Sequence, residues 1–328
     1  MIIEKSHVGF RVTVPCKLNL YLDVLGKRTD GYHSLDTVMM AVSLVDELSI
    51  VHRDDDLLQI DIEFADGAGR ALDGEDPAWR IPADHHNLII RALDRLRKSL
   101  GKPYLGAQVK LTKRIPAMAG LGGGSANAAA ALVLGYLLWT TQNDLNHAHS
   151  LASELGSDIN FFLESHCNRF WLARCSGRGE IVEPLPCAKL LHFVMVHPPR
   201  GCVTKDVFSA LGAHFDDSRF NNPNKLIQAL KEGDLQAIGG GLRNGLETAA
   251  AATNIWIDRS RSWIDRYDHH GQSLSGSGSA RFCLCESHEQ AEKIATEISL
   301  HGDMRAFCLQ SWQSPGIAEQ INGIRDSS

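Results

Sequence analysis

No long basic tract interrupts this chain, and 39 acidic against 33 basic residues leave a formal charge of −6. A surface that follows a nucleic-acid backbone needs the opposite balance, so nucleic acid is not an expected partner. Long apolar runs are missing as well. The longest, Ala128 to Trp139, falls well short of the roughly 20 residues that cross a bilayer. The segment Met1 to His7 lacks the charged start, apolar centre and small-residue cleavage site of a secretion signal, so the expectation is a cytoplasmic protein without a membrane partner. Eight cysteines are present (Cys16, Cys167, Cys175, Cys187, Cys202, Cys283, Cys285, Cys308), yet no two form a CxxC pair. That excludes a compact disulfide framework and predicts reduced, mostly buried thiols. The pairs His85-His86, His147/His149 and His269-His270 come without a Cys or carboxylate frame for zinc, and are expected to be surface histidines.

What is there is length: 328 residues and 36.0 kDa exceed one typical hydrophobic core, so two domains are expected, divided near Pro184 to Pro199 into 1–185 and 186–328. Alternation from Phe10 to Leu25 is that of a strand with Leu18, Leu20 and Leu22 on one face, which puts Lys17 and Asn19 together on the other. Further strands are predicted at Val38 to Val51, Leu57 to Phe64, Ala107 to Thr112, Leu190 to Val196, Ala280 to Cys285 and Arg305 to Ser311. A hairpin is predicted through Asn168 to Cys175 and Glu180 to Glu183. Helices are expected at Leu88 to Leu100 behind the cap Asn87, Ser125 to Trp139, Leu145 to Gly156, Val203 to Leu211, Lys225 to Leu230, Thr253 to Asp265 and Glu289 to Leu300. Asp66 to His86 reads as a polar loop. Strands and helices mix without strict βαβ alternation, which predicts an α+β fold.

The segment Gly120-Leu121-Gly122-Gly123-Gly124-Ser125 stands between a strand and an Ala-rich helix. Glycine lets backbone N–H groups close on a phosphate while the helix start adds partial positive charge, so an anion site is predicted there. A tight turn is the plain alternative. No Gly-Lys-Ser/Thr follows, so it is not a Walker A loop. The glycine spacing also fails the dinucleotide-binding fingerprint, because the third position holds Ser125 or Asn127. Read alone, Asp158 after Gly156-Ser157 suits a helix cap, Lys17 a solvated strand lysine, and Asp30-Gly31 a plain turn. Thr204 and Phe208 share one face of a predicted helix. Ser275-Gly276-Ser277-Gly278-Ser279 is a second amide-rich loop.

Pro116-Ala117-Met118-Ala119-Gly120-Leu121-Gly122-Gly123-Gly124-Ser125 resembles the ATP phosphate loop of the GHMP kinase superfamily. Pro15-Cys16-Lys17-Leu18-Asn19-Leu20 and Asp30-Gly31-Tyr32-His33 resemble its branch acting on 4-diphosphocytidyl-2-C-methyl-D-erythritol. Asn87-Leu88-Ile89, Glu154 to Asp158, His197-Pro198-Pro199 and Ser275 to Ser279 follow in the same order, so the likeness spans about residues 12 to 285. It implies an N-terminal ribosomal-protein-S5-like nucleotide domain, a C-terminal ferredoxin-like domain and an active site in the cleft between them. It further implies ATP with Mg²⁺ near Ser125, no dedicated metal site, and Pro116 to Ala126 with Asn87 at the nucleotide. By the same resemblance Asp158 accepts the proton of the attacking hydroxyl and Lys17 supports the transferring phosphoryl. Asn19, Tyr32, His33, Thr204 and Phe208 would hold a small substrate bearing a cytidine diphosphate. The expected assembly is a monomer or weak homodimer.

Three places depart from that pattern. Ala126-Asn127 follow Ser125 where a second hydroxyl and an acid or amide are usual, which predicts one fewer phosphate or Mg²⁺ contact. Met118 stands where glycine is usual, and Asn244-Gly245-Leu246-Glu247 replaces Asn-Asp-Leu-Glu. Two alternatives therefore stand beside the main expectation. One is a GHMP kinase for a different small alcohol, and the other a nucleotide-binding paralogue with little or no turnover.

Overall fold

A computed structural model describes residues 1–65, 81–140, 146–211 and 222–312. Much of the predicted loop 66–86 and the predicted helix start at Leu145 lie outside these. Two long antiparallel strands, β2 (Gly9–Lys27) and β3 (His33–Arg53), form the spine. Ahead of β2 comes β1 (Ile2–Lys5). After β3 come β4 (Leu58–Phe64), α1 (Leu88–Ser99) and β5 (Gly106–Lys113), with β4 and β5 parallel around the α1 crossover. The sheet runs β1-β2-β3-β5-β4; β6 (Leu172–Gly177) pairs with the first half of β3 and with β7 (Ile181–Pro184). Against it pack α1, α2 (Gly123–Trp139), α3 (Asn146–Leu155) and α4 (Ser157–Cys167). Alanine at 126 and 128 to 131 keeps α2 thin enough to be buried nearly all round.

The second sheet, β10 (Gly271–Leu274), β11 (Arg281–Cys285), β8 (His192–His197) and β12 (Arg305–Gln310), is antiparallel throughout. Its period-two pattern is apolar on both faces. Val194, Cys283 and Cys285 face α10 (His288–His301), whereas Phe193, Met195, Phe282 and Leu284 share a core with Leu18, Leu20, Val38 and Met40 of the first sheet. The helices α5 (Thr204–Leu211), α6 (Asn224–Glu232), α7 (Leu235–Gly241), α8 (Glu247–Thr253) and α9 (Trp256–Ile264) complete this half. One short strand, β9 (Arg243–Asn244), leaves it to pair with β2.

The α+β class is borne out, and so is the thiol reading, since all eight cysteines are free and five are buried. Burial raises Cys16 to about 12. Some boundaries differ. The predicted helix Thr253 to Asp265 is α9 alone and starts later, at Trp256, because Thr253 closes α8 and the Asn254 side chain accepts from the Trp256 N–H to start a new turn. Ile159 to Leu163 belongs to α4, which places Asp158 in a helical first turn. The strands β1, β9 and β10 and the helices α7 and α8 were not anticipated.

Candidate active site

A cleft of about 1020 Å³ runs along β2 and is bounded by the glycine segment, the β2–β3 hairpin, the start of α4, α5 and the loop after β10. This is at the upper end for one drug-sized ligand, and suits two substrates side by side. Its floor is β2. Lys17 and Asn19 are 3% and 1% exposed, although their type and alternation suit a solvated face. The covering layer is contributed by residues far along the chain. The Asn19 amide donates to Ser275 Oγ at 3.3 Å, and its side chain donates to Thr37 Oγ1 at 2.8 Å.

The glycine segment is fixed by its carbonyls. Met118 O accepts from Cys202 N at 3.0 Å, Ala119 O from Ala280 N at 3.0 Å, and Leu121 O from Lys17 N at 3.0 Å. Gly120 O accepts both Lys17 Nζ at 2.8 Å and Ser275 Oγ at 2.9 Å. With its carbonyls tied outward and α2 beginning at Gly123, the segment leaves N–H groups and a helix start for an anion. Close approach demands glycine here. A side chain at Gly120 would run into Ser275 O, and one at Gly122, where φ is 68°, would strike Phe162 and the Lys17 stem.

At the end of this segment lies a lysine–carboxylate pair. Lys17 Nζ is 3.6 Å from Asp158 Oδ2, and it also donates to Asn19 Oδ1. Asp158 is 28% exposed, and among the described residues no hydrogen bond reaches its carboxylate. The helix cap is Gly156, so Asp158 does not serve as one. A fixed cation beside an open carboxylate can receive a proton and stabilise developing negative charge.

At the far end the β2–β3 hairpin presents Tyr32, 55% exposed, and His33. The plain turn exists, with the Tyr32 N–H donating to Asp30 Oδ1 at 3.1 Å, but its aromatic residue faces the cleft rather than a small core. His33 stacks on Phe208 with centroids 4.7 Å apart. A base inserted between them needs about 7 Å, two van der Waals contacts, so it stacks on an outer face or parts the pair. Burial, then the charge of Lys27, lowers the His33 pKa, leaving a neutral imidazole with one donor and one acceptor. Thr204 Oγ1 lies 2.9 Å from Ser277 Oγ and links α5 to the serine-glycine loop.

The structure thus brings Lys17, Asn19, Tyr32, His33, Pro116 to Ser125, Asp158, Thr204 and Phe208 around one cleft. Asn87 and Ala126 do not line it. The Asn87 side chain accepts from the Ile89 N–H and donates to Pro82 O as the cap of α1. Ala126 is fully buried, so a hydroxyl at 126 would meet the core and not a phosphate. Asn127 is also turned inward and donates to Asp46. Met118 carries φ of 53°, a left-handed strain that glycine would avoid. At Gly245 a side chain would sit 2.7 Å from Asp23 Oδ1, which accounts for glycine there. The expectation that His85-His86 lack a carboxylate frame is corrected, since Asp84 lies with them in an exposed group away from the cleft lining. Ser277, in the predicted amide-rich loop, also lines the cleft, whereas Thr37 and Arg178 were missed as site residues. Arg178 sits in the β6–β7 turn with its guanidinium 5.0 Å over the Tyr32 ring, and a lone Arg between two glycines is a weak signal in a sequence.

Residues 87–166 match the model of the GHMP kinases N terminal domain, and residues 226–303 that of the GHMP kinases C terminal domain. A 4-diphosphocytidyl-2-C-methyl-D-erythritol kinase of Rhodopirellula baltica is 35% identical over 302 residues, covering 88% of this chain and 90% of the relative. One from Carboxydothermus hydrogenoformans is 33% identical, covering 89% and 93%. A crystal structure of 4-(cytidine 5′-diphospho)-2C-methyl-D-erythritol kinase aligns with a TM-score of 0.69 at 29% identity over 92% of this chain and 99% of that one. A homoserine kinase from Cytophaga hutchinsonii aligns at 0.71 with 20% identity, over 96% and 98%, a likeness of fold.

Proposed function

The chain belongs to the GHMP kinase family, among the 4-diphosphocytidyl-2-C-methyl-D-erythritol kinases, and from that premise we propose how its cleft performs the transfer of phosphate from ATP to the 2-hydroxyl of that alcohol. The observation that carries the mechanism is the open Asp158 carboxylate beside a lysine held by Gly120 O and Asn19. Asp158 takes the proton as the hydroxyl oxygen bonds to the γ-phosphorus. The bond from that phosphorus to the β-phosphate oxygen breaks, and ADP leaves. Lys17 supplies fixed positive charge to the equatorial oxygens, and the start of α2 with the Gly120 to Ser125 amides holds the phosphates.

Mg²⁺ is proposed to travel with the nucleotide. Ser125 lines the cleft, and among the described residues no cluster of carboxylates does, which fits an ion carried mostly by phosphate oxygens and water. Held there, the ion would neutralise phosphate charge. The cytosine is assigned to Tyr32, His33 and Phe208, with the neutral imidazole at the base edge, while Asn19 and Thr204 bound the acceptor. The division into a nucleotide domain, 1–185, and a substrate domain, 186–328, is proposed on the same basis, in a monomer or weak homodimer.

The test is ADP release from purified protein with ATP, Mg²⁺ and a panel of alcohols. Turnover with the diphosphocytidyl alcohol, and at least a hundredfold less with mevalonate or homoserine, is expected. Equal turnover of mevalonate would sink the substrate assignment, and acceptor-independent ADP release alone would sink the transferase reading.

A further inference from the structure

We propose that Arg178 is the residue that grips the diphosphate of the acceptor, an inference that rests on the proposed substrate class and names the subsite that reads its charge. The acceptor end of the cleft is lined by three cations, Lys27, Arg178 and Lys205, drawn from β2, the β6–β7 turn and α5. None of these belongs to the glycine segment, so a second anion is being recognised apart from the ATP phosphates. Arg178 differs from the two lysines in being held. Its Nη2 donates to Ser153 O at 3.1 Å, its Nε lies 3.7 Å from Glu180 Oε1, and its plane covers Tyr32 at 5.0 Å. Among the described residues Nη1 has no hydrogen-bond partner. Glu180 offsets part of the charge, but at 3.7 Å it does not complete a fork.

Position decides between a structural and a binding role. The next residue, Gly179, packs on the first turn of α4, where an added side chain would lie 3.4 Å from Ser157 Cβ and 3.9 Å from Asp158 Oδ1. Arg178 thus spans the gap between the carboxylate that takes the hydroxyl proton and the ring on the nucleobase side. A cytidine diphosphate ester reaching from one to the other carries its two phosphates through that gap. A planar, partly immobilised guanidinium with free N–H groups suits adjacent phosphate oxygens, and its loss of freedom has already occurred in folding.

The test compares cytidine with CDP, in the presence of a saturating non-hydrolysable ATP analogue so that only the acceptor end is open. In the unaltered enzyme CDP should bind at least tenfold more tightly than cytidine. Arg178→Gln should weaken CDP at least tenfold while changing cytidine, and ADP measured without the analogue, by less than twofold, and should raise the acceptor KM with the ATP KM unchanged. Arg178→Lys should recover part of the loss. If cytidine and CDP weaken equally, Arg178 only shapes Tyr32 and the inference is overturned, as it is if CDP binding is untouched. Failure of the unaltered enzyme to bind CDP would overturn the substrate reading itself, and the inference with it.

Discussion

Two lysine–aspartate pairs lie within the same half of the molecule, and they are built to opposite ends. Asp46 is fully buried, 2.5 Å from Lys113 Nζ, and it also accepts from Arg114 N at 2.7 Å, Ile115 N at 2.9 Å and Asn127 Nδ2 at 2.9 Å. Every acceptor position of that carboxylate is occupied, and it ties the end of β5 to α2 just ahead of the glycine segment. Asp158 has one partner, 3.6 Å away, and a face open to the cleft. A saturated pair resists change of charge; an unsaturated one is available for chemistry. The same two residue types are therefore locked in place or left open to the cleft according to how many donors surround the acid.

The sharpest way to break this contrast is Asp46→Asn, which strands the Lys113 cation in the core. A loss of about 3–5 kcal/mol in denaturant-unfolding stability is expected. A loss below about 1 kcal/mol would mean the pair holds nothing together. Asp158→Asn should do the reverse, lowering turnover by about 10²- to 10⁴-fold while stability changes by less than about 1 kcal/mol. Were activity retained, the proton would have to go elsewhere. The smallest effect is expected between the pairs, at the loop entry. Met118→Gly should relieve the left-handed φ and raise stability by up to about 1 kcal/mol, the gain being offset in part by the entropy of glycine. A loss of stability would show that the Met118 side chain contributes more than its backbone costs.

Much of the site could be read in the sequence because its parts are local. Strand parity put Lys17 and Asn19 together, the glycine spacing predicted an anion site, and Asn87 announced the start of α1. What escaped depended on distant partners. Nothing near Asp46 signals a buried acid, since its donors lie 67 to 81 positions downstream. Nothing near Asn19 predicts burial, because the cover arrives with Ser275, 256 positions away. The α7 segment, Leu235–Gly241, ends in three glycines and reads as a loop, yet Asp234 caps its start and Ile238 is buried in the core. Tertiary packing overrides local preference there.

Gly120 and Ser275 touch backbone to backbone, and the two sheets share one apolar core. Such a protein is poorly modular. Cut at the proposed boundary, the first half would carry the whole phosphate loop in its sequence but lose the wall that shapes it, along with the strand Arg243–Asn244 laid beside β2. It would also expose Leu18, Leu20, Val38 and Met40 to water. Neither half is therefore expected to work as a transferable part, and the phosphate loop is expected to hold its shape only in the joined chain.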